Sequence, residues 1–377
     1  MSGRSSMLLV VTAVVLATGV AIVGAAPFEP RPEPTRASDI VFYAGGAYPD
    51  SIAVTGAGAE TSFRGLTVNG DFRPVTGPGN DYDGDGYDDI LWYGRGSTQD
   101  YVWYGGPDGF HSVAVSISGD YLPVTGPGWD ANGDGRTDIF WYQAGRGADY
   151  LWLGRGNRTF QSRARPVSGD YQPIPGYFDG DDHGDILWYA PGGADDYLWR
   201  FRSAGTYRNE SVRINGNYRP VAPIVPDLTG NGLTDILWYG PGSTGDYLWS
   251  FRDDGSHVDR EVSISGTYTP LAGDFDGDGV GDVFWYRPGS GTEYAWFFRS
   301  DGTHADRAYS VNGDYIPVVS GSNGFDRNGT TDIFWYAPGP AGDFLWQGRS
   351  NRTFASSPLP IRNAYLPLVG GFLDDPS

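Results

Sequence analysis

Four aspartates recur at positions 1, 3, 5 and 9 of a short bend: Asp81, Asp83, Asp85 and Asp89, then again Asp274, Asp276, Asp278 and Asp282. A glycine at position 6, Gly86 or Gly279, permits a sharp turn. Carboxylates at this spacing, completed by the main-chain carbonyl of position 7 (Tyr87 or Val280), are the oxygen set a hard cation such as Ca²⁺ collects from one tight bend. Asp130, Asn132, Asp134 and Asp138 repeat the pattern with one amide, and Arg136 offers the carbonyl. Asp227, Asn231 and Asp235 form a weakened copy in which Thr229 replaces the second carboxylate. Two further copies have lost position 1, which is Tyr177 in one and Gly324 in the other. The first of these keeps Asp179, Asp181 and Asp185 but has Asp182 where the turn glycine belongs; the second keeps Asp326, Asn328 and Asp332. A helix–loop–helix calcium site would need a bidentate Glu at position 12. Trp92 and Trp285 stand there instead, inside β-branched and aromatic runs that read as strands.

Other chemistry is poorly provided for. The chain has no Cys, which excludes disulfides, metal–thiolate sites and cysteine nucleophiles. It has four His, of which His257 and His304 hold equivalent turn positions, with His111 close to the same place. No nucleophile elbow, zinc-protease helix or phosphate loop is present. The net charge of −20 excludes the basic footprint that nucleic-acid binding requires. Much of that charge sits in the acidic bends, so metal-free loops repel themselves.

The elements that must position these bends form one repeat. A unit reads Gly-x-Tyr-x-Pro-Val, the acidic loop, Asp-Ile-Leu-Trp-Tyr, a Pro-Gly turn, Asp-Tyr-Leu-Trp, a second turn and an alternating strand. The Gly-x-Tyr-x-Pro signal, or its Phe variant, starts at Gly70, Gly119, Gly169, Gly216, Gly266 and Gly313, and once more at Asn363, at spacings of 47 to 50 residues. Four short strands on such a period predict propeller blades. The last unit stops after its first strand, and the opening piece Asp39–Tyr43 is a second strand without a first. Together they make a seventh blade. The expected fold is therefore all-β: a seven-bladed propeller over 38–377 whose ring is closed by terminal strands sharing one blade.

Twelve of the 13 Trp occupy two fixed repeat positions and are expected to pack between blades. Trp129 lacks a counterpart and is expected at the surface. The turns Arg155–Arg158 and Arg349–Arg352 read as solvated, and the Asp-Gly turns as hairpin chemistry. Residues 1–26 read as an export segment: Met7 to Ala26 is an unbroken apolar or small run, either cleaved as a signal peptide or retained as an anchor. Residues 27–37 read as a proline-rich linker.

The acidic loop, the hydrophobic strand after it and the four-strand period resemble the FG-GAP/VCBS repeats, which build the propeller of the integrin α-subunit N-terminal domain and of many secreted bacterial proteins. The resemblance implies Ca²⁺ between the first two strands of a blade, at Asp81–Asp89, Asp130–Asp138 and Asp274–Asp282. It implies a fold and a metal, and leaves the ligand open. The expected function is an exported, monomeric, calcium-binding module for an extracellular glycan or protein rather than an enzyme. The alternatives are a lectin-like propeller with repeated sugar pockets and a polysaccharide-cleaving enzyme with two carboxylates outside the loops.

Overall fold

A computed structural model describes residues 36–374, apart from 47, 56–60, 95, 97, 146, 222–226, 242–244, 290 and 340–341. The export segment and the linker up to residue 35 lie outside the described residues. The described chain forms seven four-stranded antiparallel sheets, each a blade. Helix is confined to one 3-10 turn, Ser203–Gly205. Six blades are contiguous in sequence, beginning with Arg73–Val75, Ile90–Tyr93, Asp100–Tyr104 and His111–Val115. The seventh is shared: strand Leu366–Gly370 pairs with Asp39–Tyr43, which is followed by Asp50–Thr55 and Thr61–Leu66.

The strand order follows from patterning. Second strands such as Ile90–Tyr93 and Asp185–Tyr189 are buried on both faces and read as continuous apolar runs. Fourth strands are outermost and contain no fully buried residue in blades such as those of Thr159–Ala164 and His257–Val262. The core lies between blades. Trp188 of the third blade meets Phe140 and Tyr142 of the second at 5.2 and 5.1 Å. The six second-strand tryptophans are all 1% exposed, and each stands T-shaped against the third-strand indole of its own blade at 5.1 to 5.4 Å. Phe42 fills the indole position in the seventh blade.

The Gly-x-Tyr signal is one half of a latch between blades. The second-strand tyrosine of one blade (Tyr43, Tyr93, Tyr142, Tyr189, Tyr239, Tyr286 or Tyr336) donates its hydroxyl to the carbonyl 27 residues on, and accepts from the N–H 29 residues on, at 2.6 to 3.0 Å. That carbonyl belongs to Gly70 and its equivalents, whose φ of +133 to +146° only glycine adopts readily. Asn363 serves in the seventh latch.

Candidate metal centre

The acidic bends all lie between the first and second strands of their blades, on the rim that also carries the turns joining third to fourth strands. Position 9 is the structural anchor. Asp89, Asp138, Asp185, Asp235, Asp282 and Asp332 are fully buried. One oxygen of each accepts the N–H of position 2, and the other accepts an N–H at the end of the third strand. Asp39 holds the seventh bend differently, with Oδ2 accepting from both Phe372 and Leu373.

Position 1 shapes the bend. Asp81 accepts from the N–H groups of Gly84 and Gly86 at 2.6 and 2.8 Å, and Asp274 from those of Gly277 and Gly279 at 2.7 and 2.9 Å. Asp130 and Asp227 hold their loops alike. Position 5 caps the turn from outside: Asp85, Asp134 and Asp278 are exposed and accept the N–H of Tyr87, Arg136 and Val280. The loops are chained around the ring by seven main-chain bonds, from position 8 of one loop to the position 1 carbonyl of the loop before. They run from Thr137 to Asp81, Gly184 to Asp130, Thr234 to Tyr177, Gly281 to Asp227, Thr331 to Asp274, Ser38 to Gly324 and Asp88 to Gly371, at 2.6 to 3.0 Å.

Two bends bring three carboxylates into one cluster: Asp81, Asp83 and Asp89, and Asp274, Asp276 and Asp282. In each, one oxygen from every residue lies within 4.8 Å of the others. Among the described residues no other His, Cys, Asp or Glu grouping is this close, and Asp85 and Asp278 stand outside the two clusters. Asp276 is 4% exposed, and its Oδ1 has no hydrogen-bond partner in the protein. An unpartnered carboxylate oxygen at that depth is costly unless a cation meets it. The donor set, all hard oxygen, suits a divalent ion such as Ca²⁺. Burial pushes the Asp81 and Asp274 carboxyls up to about 6, and moves Asp89, Asp138 and Asp282 well above the usual range.

The remaining bends settle their carboxylates internally. At the loop that begins with Tyr177, Arg200 donates Nη1 to Asp179 at 3.0 Å and lies 3.9 Å from Asp185. Tyr177 itself reaches back to the preceding loop, donating its hydroxyl to Gly128 O and accepting from Asp130 N. Asp182 takes the turn with φ +59°. At the weakened copy, Thr229 Oγ1 donates to Asp235 at 3.0 Å, and Asn231 spends its amide on Phe251 O. At the Gly324 loop, Gln347 and Asn328 donate to Asp326. The copy with one amide is intermediate: Asn132 donates Nδ2 to Asp134 and accepts the Asp134 N–H at Oδ1.

Two expectations are corrected. Trp129 is not at the surface: it is 1% exposed, packs edge-on against Phe201 at 5.8 Å and donates Nε1 to Asp185 O. Gly184 admits it, since a Cβ there would fall 2.5 Å from the indole. Arg158 and Arg352 are not solvated turn residues: each enters the acidic loop of the blade before, with Nε 2.7 Å from Asp83 and Asp276 respectively. A second acidic set was not singled out in the sequence. Asp50, Asp100, Asp149, Asp196, Asp246 and Asp343 lead the third strands, and each accepts two main-chain N–H groups, six residues before and 18 after; Glu293 keeps the latter. The fixed offset is its sequence signal.

Residues 130–188 match the family described as FG-GAP-like repeat. A crystal structure of a protein from Lactobacillus plantarum superposes with a TM-score of 0.56 at 11% identity, covering 88% of this chain and 99% of that one; at this identity the likeness is one of fold alone. No curated protein matches the sequence. Sheet order and terminal closure make this chain a seven-bladed β-propeller, in which the stretch 130–188 is similar to an FG-GAP-like repeat.

Proposed function

We propose that the protein is an exported calcium-binding β-propeller that acts as a binding or adhesion module for an extracellular glycan or protein. The buried, unpartnered Oδ1 of Asp276, a residue clustered with Asp274 and Asp282, carries the metal part of this reading. Affinity of about 10⁻⁴ to 10⁻³ M suits loops of this kind outside the cell. Export rests on the apolar run from Met7 to Ala26. Binding is favoured over catalysis because the six aspartates leading third strands are committed to main-chain N–H groups through both oxygens.

A sugar-binding reading draws on the opposite rim. There the latch aromatics pair T-shaped with the second residue of the third strand: Phe72 with Tyr101, Tyr121 with Tyr150, Tyr171 with Tyr197 and Tyr218 with Tyr247, at 6.2 to 6.4 Å. Four equivalent aromatic walls, in four successive blades, suit multivalent contact with a repeating polymer.

The test is thermal melting of the full chain in EDTA and in millimolar Ca²⁺, with bound metal counted by elemental analysis, followed by glycan-array binding of both forms. Two or three bound ions and a raised melting temperature are expected. No bound ion and no shift would overturn the metal reading. Reducing ends released from a polysaccharide would replace the binding reading with the enzyme.

A further inference from the structure

In each of the six contiguous blades the turn joining third to fourth strand has a residue at positive φ near its end, preceded in the third blade by Ala204 at φ +61°. It is glycine in four of them: Gly109, Gly205, Gly255 and Gly302, at φ +119, +63, +79 and +72°. In the second and sixth blades it is Arg158 and Arg352, at φ +63 and +64°. A left-handed conformation costs a long side chain about 1 kcal/mol or more, so arginine here needs a reason. These two blades are the ones whose turns face the two three-carboxylate clusters. Each arginine donates Nε to Oδ2 of the position 3 aspartate, Asp83 or Asp276, at 2.7 Å. Its guanidinium is steadied over an aromatic ring, Tyr104 at 5.3 Å or Phe297 at 5.0 Å. With Oδ2 so held, Oδ1 of Asp276 is left buried and without a hydrogen-bond partner among the described residues, while Oδ1 of Asp83 accepts the N–H of Asp85 at 3.2 Å; one oxygen of each aspartate lies within 4.8 Å of the other two carboxylates of its cluster.

We propose that Arg158 and Arg352 are positioning residues for a divalent cation: each fixes the position 3 carboxylate of the preceding blade so that its second oxygen faces the ion. This inference rests on the calcium reading above. It departs from a simple neutralising role, in which the guanidinium would take the ion's place, as Arg200 does beside Asp179 and Asp185. The two roles predict opposite signs. Removing a neutralising arginine strengthens cation binding. Removing a positioning one weakens it, by about 10- to 100-fold for a partner that orients a ligand.

Calorimetric titration of the full chain with Ca²⁺ decides between them, comparing wild type with the double variant R158G/R352G and with R352K. Glycine suits the backbone but leaves Asp83 and Asp276 without their arginine partners, so melting in EDTA serves to show that the double variant is folded, and at least a tenfold loss in calcium affinity is expected. R352K keeps the charge without the directed Nε bond and is expected to fall between. Unchanged or tighter binding in R158G/R352G overturns the positioning role while leaving the calcium reading intact. Absence of calcium binding in wild type overturns both.

Discussion

The bend at Asp274–Asp282 and the bend at Tyr177–Asp185 share a backbone path, a buried position 9 aspartate and a position 3 aspartate held by arginine, yet they handle charge in opposite ways. At the first, Arg352 arrives from the neighbouring blade, takes Oδ2 of Asp276 and leaves Oδ1 buried without a hydrogen-bond partner, in a residue clustered with two other carboxylates. At the second, Arg200 rises from the same blade's third strand and sits between Asp179 and Asp185. One loop asks for a cation, and the other carries its own. The direction from which a guanidinium enters thus decides whether an acidic bend is a site or a brace.

The comparison breaks most sharply at position 9. Asp185→Ala strands the main-chain N–H groups of Phe178 and Phe201, a loss of about 2–6 kcal/mol at about 1–3 per orphaned group. The melting temperature should fall equally in EDTA and in Ca²⁺. A loss seen only with Ca²⁺ would mean that the bend is a metal site after all.

A middle-sized effect is expected with pH. Burial raises Asp81 and Asp274 to about 6, and Asp235 and Asp332 to about 8. Groups whose folded pKa lies above the unfolded value contribute stability below about pH 4, and that contribution is lost as pH climbs through 6 and then 8. Metal-free protein should therefore melt at steadily lower temperature from pH 4 to 8, while Ca²⁺ flattens the part due to Asp81 and Asp274. A metal-free melting temperature that rises over this window would contradict the buried-charge account.

The smallest effect belongs to position 5. Asp278 is exposed, lies outside the cluster and caps Val280 N. Asp278→Ala should trim the calcium-dependent gain in stability by about 0.5–1.5 kcal/mol, the worth of one hydrogen bond. An unchanged gain would remove Asp278 from the ligand set.

The blade count was legible because the repeat is carried by residues that cannot drift: Gly70 and its equivalents through their positive φ, and position 9 through two main-chain bonds. The split blade followed from Asp39–Tyr43 lacking a first strand and Leu366–Gly370 lacking the rest. What escaped was set by contacts across blades. Trp129 has no repeat counterpart, so nothing in its own unit showed that Gly184, 55 residues later, leaves room for an indole. Arg158 and Arg352 each meet an aspartate about 75 residues upstream. The trace in the sequence was arginine where other units place glycine, which reads as tolerance until the backbone shows strain.

The ring closes inside a loop rather than between blades: Gly371 and Ser38 hold positions 1 and 8 of a seventh bend, and both its main-chain bonds are made. In the shared blade Asp39 lies opposite Gly370, so both ends of the described chain leave at the same edge of one antiparallel pair. A load applied through the two ends would peel that pair one rung at a time instead of shearing it. At the first rung stand the Asp39 carboxylate, bonded to Phe372 and Leu373, and Arg36, bonded to Gly86 O and stacked 3.5 Å above the Tyr87 ring. The mechanical fuse of the molecule is therefore this edge, and it is fastened directly to the first acidic bend.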